Sequence, residues 1–152
     1  MVIRLAQKYP ELIGILKIYL NLLASLKKQI ILSNLFTGVD IVDVARIKKS
    51  IEKYKESFLD KIFSKDEQHY CFSKSNPYIH FSGKFAAKEA VIKSVLSSGK
   101  IKTISFSNIS ILNENNGAPK VKIKNLPEAD IKISISHTER QAIAFAMYDK
   151  KI

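Results

Sequence analysis

The stretch PYIHFSGKFAAKEAVIKSVL, residues 77–96, decides how this chain folds. Pro77 supplies a helix-ready φ and lacks only an amide that the first turn leaves unbonded anyway, so a helix opens there. The pattern carries it from about Tyr78 to Leu96, with an end near Gly99. Phe81, Phe85 and Glu89 stand one turn apart, which sets Glu89 on or beside the apolar stripe. Ala86, Ala87 and Ala90 let another backbone, of a sheet or a ligand, come close. Lys93 follows Glu89 at i+4, the favourable direction for an ion pair. Taken alone, Glu89 and Lys93 read as an ordinary surface pair, with Lys84 and Lys88 also in water.

Upstream, Gly38-Val39-Asp40-Ile41-Val42 places an acid inside an apolar, strand-like run. Aspartate is a poor strand former. Asp40 therefore sits on the polar face of an edge strand, or it is buried and needs a compensating cation or donor. Two such acids, Asp40 and Glu89, brought together would repel, and a hard divalent cation is the usual remedy. Strand character is expected over Ile30–Leu32 and Thr37–Val44. A helix follows over Val44–Tyr54, with Val44, Ile47 and Ile51 on one face and Asp43 at its cap. Phe58–Phe63 reads as a short apolar helix or turn, and Ser64-Lys65-Asp66-Glu67 has the spacing of a capping box that starts another helix.

The last third is β-like. Thr103–Leu112 alternates with one phase slip, read as a bulge. Asn115-Asn116-Gly117 signals a hairpin turn. Lys120–Lys124 alternates with Val121 and Ile123 inward, Ile131, Ile133 and Ile135 alternate, and Ala142–Met147 makes a final apolar strand. The order of strand, helices and then several antiparallel strands means α+β, with an antiparallel sheet packed against the long helix. Ser134-Ile135-Ser136-His137-Thr138 ends a strand with hydroxyls and an imidazole, a phosphate donor or acid–base group or a hydrogen-bonded strand end. His69 and His80 lack partners at ligand spacing and read as structural.

The 152 residues suffice for one domain with a real core, and 46% hydrophobic content excludes a disordered chain. A net charge of +11 favours an anionic partner. The lone Cys71 excludes an internal disulfide and fits a reducing cytoplasm. Residues 1–36 carry five basic groups and one acid, and Leu12, Leu16, Tyr19, Leu23 and Leu26 recur at helical spacing. They form a separate, helical N-terminal extension ahead of a domain over 37–152, packing on the body, on another subunit or on a membrane surface. The run is too short and interrupted for a transmembrane helix.

Together, GVDIVDVARI at 38–47, FSGKFAAKEAVIKSVL at 81–96, ISFSNISILNENNGAPKV at 104–121 and SISHTERQAIAFAM at 134–147 resemble the small acyl-carrier-protein synthase type of 4'-phosphopantetheinyl transferase. The resemblance implies that fold, and transfer of phosphopantetheine from coenzyme A to a serine of apo acyl carrier protein. It implies Mg²⁺ on Asp40 and Glu89, with Glu89 or a metal-bound water taking the serine proton and Lys93 facing the pyrophosphate. Glu89, Lys93 and His137 are thereby catalytic. Lys84, Lys88, Lys93, Gly117, Pro119, His137 and Thr138 border the cofactor. Arg46 meets the acidic carrier protein, with Lys48, Lys49 and Lys53 as neighbours. It further implies a cytoplasmic homotrimer with a role in fatty acid biosynthesis. Departures are the extension, lysine rather than arginine at 84, a glycine-poor loop at Ser97-Ser98-Gly99-Lys100, and Thr138 and Glu139 where many members follow the histidine directly with an acid. The alternative from another class is a basic nucleic-acid-binding module. Its only basic row, Lys120, Lys122 and Lys124, has no aromatics between the lysines, so nucleic acid is not the expected partner.

Overall fold

The computed structural model describes residues 10–150. The chain divides into two units, residues 1–34 and 35–152. The first contains α1 (Pro10–Ser33). Ile30–Leu32, expected as strand, continues this helix instead; a short apolar run fits either state, and strand pairing begins only at Leu35. Ile15, Leu16, Ile18, Tyr19, Leu22 and Leu23 of α1 are 52–69% exposed. Among the described residues, no helix is long and apolar enough to cross a membrane.

In the second unit, β1 (Leu35–Asp43) is followed by α2 (Val44–Ile62), α3 (Lys65–Phe72) and α4 (Pro77–Ser97). A 3₁₀ turn at Phe106–Asn108 then leads into β2 (Ile109–Asn113), β3 (Pro119–Ile123), β4 (Asp130–His137) and β5 (Gln141–Asp149). One antiparallel sheet has the order β1-β5-β4, and β2 and β3 form a separate hairpin. Gly117 closes that hairpin at φ +85°, a conformation glycine adopts without strain.

Helix α4 is the centre of the core. Phe81, Ala86, Ala87, Ala90, Val91 and Val95 are all buried. The sheet meets it with Val42, Ala142, Ala144, Ala146 and Tyr148, so small residues on both elements allow close packing. The opposite sheet face is also apolar but open: the cross-strand pairs Val39–Phe145 and Ile41–Ile143 are 43–57% exposed.

The capping box is present: Ser64 Oγ accepts from the Glu67 amide, and Glu67 accepts from the Ser64 amide at 2.7 Å. Asp43 occupies the N-cap position of α2 but makes no capping bond; its carboxylate accepts from Gln141 Nε2. The two helical stretches expected before Ser64 meet within α2 at Lys55, whose φ of 46° breaks the regular backbone. The expected strand from Thr103 is shorter, because Phe106 turns in to stack on Phe85 with centroids 5.3 Å apart. Cys71 is fully buried, and burial pushes its thiol up to about 12, which makes it inert.

Candidate active site

Strand β1 and helix α4 approach each other closely at Gly38. A Cβ there would stand 2.1 Å from the Ala90 carbonyl oxygen and 2.8 Å from the Ser94 amide. Only a residue without a side chain lets β1 lie this close to α4. The approach brings Asp40, two residues along the same strand face, to Lys93 of the helix. Lys93 Nζ donates to Asp40 Oδ1 at 2.8 Å and to the Val39 carbonyl at 2.9 Å. The i+4 partner expected for Lys93 was Glu89; the lysine reaches across to the strand instead.

Glu89 is half-buried beside this pair. Burial holds its carboxyl above the usual carboxylate range, and the charge of Asp40 raises it further, while Lys93 and Arg46 pull the other way. Asp40 and Glu89 thus feel each other across the helix–strand seam. Arg46, near the start of α2, lies with its guanidinium 5.8 Å from the Phe85 ring centroid. Two carboxylates beside two cations, with Asp40 largely covered and Lys93 half-exposed, form an anion-tolerant cluster at one edge of the fold.

A divalent ion fits this donor set. Both acids offer hard oxygens, and their mutual repulsion is what a cation relieves. Among the described residues no group of three metal-ligating side chains occurs, so phosphate oxygens and waters would complete the shell.

A cavity of about 360 Å³ lies between α4, the hairpin and β4. Its walls include Lys84, Gly117, Pro119 and His137, four residues expected to border a cofactor. Asp40 pairs with Ala144, and Ala144 with Ile135, which lines the cavity. Two strand spacings therefore separate the acid's backbone from the cavity, roughly 10 Å.

Three further residues line this cavity: Tyr70 and Asn113, which the sequence did not single out, and His80, which it read as structural. The His80 ring lies 5.8 Å from that of His137, edge to face, and 5.9 Å from that of Tyr70. Burial, then the charges of His137, Lys74 and Lys84, hold the His80 imidazole below its ordinary value. Asn113 completes the group, donating to the Gly117 carbonyl. The overlooked signal for His80 was its spacing: His80, Gly83 and Lys84 fall at i, i+3 and i+4 on one helical face.

Of the expected cofactor contacts, Lys88 and Thr138 are placed differently, and Lys84 lines the cavity with its ammonium committed to protein partners. Lys88 is fully buried, its ammonium spent on Glu67 (2.8 Å) and the carbonyls of Ile62 (2.6 Å) and Phe106 (3.3 Å), so it is turned away from solvent and cavity. Lys84 lines the cavity but is 4% exposed and donates to the Ile111 carbonyl and Asn113 Oδ1. Neither lysine is in water. Thr138 Oγ1 accepts from the amides of Arg140 and Gln141, which commits it to the β4–β5 turn.

The sequence pattern of the 4'-phosphopantetheinyl transferase superfamily matches residues 37–146. A holo-[acyl-carrier-protein] synthase from Protochlamydia amoebophila is 42% identical over 116 residues, covering 73% of this chain and 94% of the relative. That from Thermodesulfovibrio yellowstonii is 46% identical over 110 residues, covering 72% and 94%. Among solved structures, the Helicobacter pylori holo-[acyl-carrier-protein] synthase in complex with coenzyme A superposes with a TM-score of 0.63 at 32% identity, over 74% of this chain and 98% of that one. The Bacillus anthracis synthase, in complex with CoA (3',5'-ADP), gives 0.65 at 29% identity, over 76% and 96%. With a matching pattern over most of its length, and relatives matched almost end to end, the chain belongs to the holo-[acyl-carrier-protein] synthases of the 4'-phosphopantetheinyl transferase superfamily.

Proposed function

We propose that this protein transfers the 4'-phosphopantetheine group of coenzyme A to a serine of apo acyl carrier protein, releasing adenosine 3',5'-bisphosphate. The observation that carries the site assignment is the seam at Gly38, where Asp40, Glu89 and Lys93 gather two strands away from the cavity lined by His80 and His137. In the transfer, the serine oxygen bonds to the phosphorus that carries the pantetheine arm, and the bond from that phosphorus to the bridging oxygen breaks. The nucleotide leaves with that oxygen and its electron pair.

Phosphoryl transfer of this kind needs alignment and charge neutralisation more than covalent help. Asp40 and Glu89 would hold Mg²⁺, which supplies neutralisation of the pyrophosphate when bound. Lys93, half-exposed and anchored by Asp40 and Val39, presents its charge to the same group and stabilises the departing nucleotide. Glu89, whose carboxyl is held above the usual range, or a water on the ion it would hold, would receive the serine proton. His137 and His80 offer the cavity donors and ring faces for the nucleotide end.

Arg46 stands at the rim of this cluster, where an acidic carrier protein would dock, and the +11 balance steers such a partner. The open apolar sheet face of Val39, Ile41, Ile143 and Phe145 supports a homotrimer, since contact between copies would bury it. We place the reaction in the cytoplasm, in the supply of holo carrier protein for fatty acid synthesis, which suits the single free thiol of Cys71. The test incubates the full chain with coenzyme A, Mg²⁺ and apo carrier protein. Mass spectrometry should show the carrier gaining one phosphopantetheine group; an unchanged mass overturns the reading.

A further inference from the structure

We propose that Glu67 and Lys84 are positioning residues that set the hairpin wall of the cavity, acting on coenzyme A through Ile111 and Asn113 rather than by holding its phosphates. The inference rests on the transferase reading and concerns residues outside the acid–lysine cluster.

Among the described residues, strand β2 has one strand neighbour, β3. At its centre, Ile111 is fully buried, yet both its backbone groups are taken by side chains from helices. The Ile111 amide donates to Glu67 Oε1 at 2.8 Å, and the Ile111 carbonyl accepts from Lys84 Nζ at 2.6 Å. A glutamate from α3 and a lysine from α4 thus stand in for the missing strand. An unsatisfied buried amide or carbonyl is costly, so these two bonds fix where the hairpin docks.

The grip continues to the cavity rim. Lys84 Nζ also donates to Asn113 Oδ1 at 3.1 Å, and Asn113 Nδ2 donates to the Gly117 carbonyl at 3.2 Å. Ile111, Asn113 and Gly117 all line the cavity. The Lys84 ammonium is further covered by the Tyr70 ring, 4.6 Å from its centroid, which leaves it little freedom to turn toward a ligand phosphate. Glu67 is itself held, by the Ser64 amide at 2.7 Å and by Lys88 Nζ at 2.8 Å. The clamp therefore runs from the α3 capping box through the core to the hairpin turn.

The test uses the full chain carrying Glu67→Leu together with Lys88→Met, a pair that removes both charges of the buried ion pair and the side-chain acceptor of the Ile111 amide. Coenzyme A binding is measured by calorimetry, and transfer by the mass shift of the carrier protein. The displaced wall should weaken coenzyme A binding about tenfold, with kcat at saturating coenzyme A within about threefold of wild type and carrier-protein KM unchanged. Unchanged coenzyme A affinity, or a fall in kcat without a fall in affinity, overturns the proposal. Should the double variant lose its cooperative melt, Lys84→Met keeps the Glu67–Lys88 pair and decides instead. It should bind coenzyme A about tenfold more weakly with the wild-type dependence on salt. A flatter salt dependence marks Lys84 as a direct phosphate cation and overturns the proposal. A wild-type chain that binds coenzyme A but transfers nothing sinks the transferase reading, while the affinity comparison still decides this one.

Discussion

Lys88 and Glu89 are neighbours on one helix and live in opposite electrostatic worlds. Lys88 points into the core, fully buried, with Glu67 and two carbonyls around its ammonium. Glu89 stands half-buried at the seam with β1, pushed toward its protonated form by burial and by Asp40. The first arrangement is closed: each charge has its partner, and no capacity is left for a ligand. The second is open: two acids share a seam with Lys93 and Arg46, and a cation with a phosphate would complete it. About 100° of helical turn separates a structural ion pair from the cluster proposed to hold the metal.

That contrast can be broken at either end. Lys88→Met alone strands the Glu67 carboxylate in the core, and urea unfolding should report a loss of about 3–5 kcal/mol; a loss under 1 kcal/mol, well below the roughly 3–5 expected for a broken buried pair, would mean that water reaches the pair. At the open end, Glu89→Gln or Asp40→Asn should slow carrier-protein modification by about 10²–10³-fold, or about 2.7–4 kcal/mol, with the melting curve little changed. Full activity in either variant removes the metal assignment.

Gly38→Ala attacks the contact that creates the cluster. Its methyl group would press on the Ala90 carbonyl, and the cost should be about 1–3 kcal/mol, accompanied by slower transfer as Asp40 and Lys93 separate. A stable, fully active variant would show that the seam is wider than described. Arg46→Glu should raise the KM for carrier protein about tenfold and leave coenzyme A affinity alone; equal effects on both substrates would move Arg46 into the cofactor site.

The smallest effect concerns His80, which faces His137, Lys84, Lys74 and Tyr70. Its folded value lies below the ordinary 6.5, so its contribution to stability is whole above pH 6.5 and is lost as pH falls through the lowered value. His80→Gln should therefore flatten the decline in melting temperature on the acid side of pH 6.5. An unaltered acid slope would show that His80 titrates normally.

Much of the scaffold was legible because its signals are local. Pro77 opens α4, Ser64 and Glu67 close a capping box, and Asn115-Asn116-Gly117 turns the hairpin, each within four residues of chain. The alternation of β4 and β5 was readable for the same reason. The short strand at β2 was not, since its start is decided by Phe106 stacking on a helix 21 residues earlier in the chain. The end of α1 was not either, because Ile30-Ile31-Leu32 suits helix and strand alike.

The sequence by itself determined the order of elements, the apolar face of α4, and a family pattern from which Asp40, Glu89, Lys93 and His137 are proposed for the chemistry. It had no means of sorting the lysines of α4. Lys84 and Lys88 look like Lys93 in one dimension, and only the positions of Glu67 and Ile111, distant in the chain, turn the first two inward. Tertiary structure likewise gave Gly38 and His80 their roles. A charge's function depends on how much water and which partners surround it, and those are properties of packing between segments rather than of any one segment.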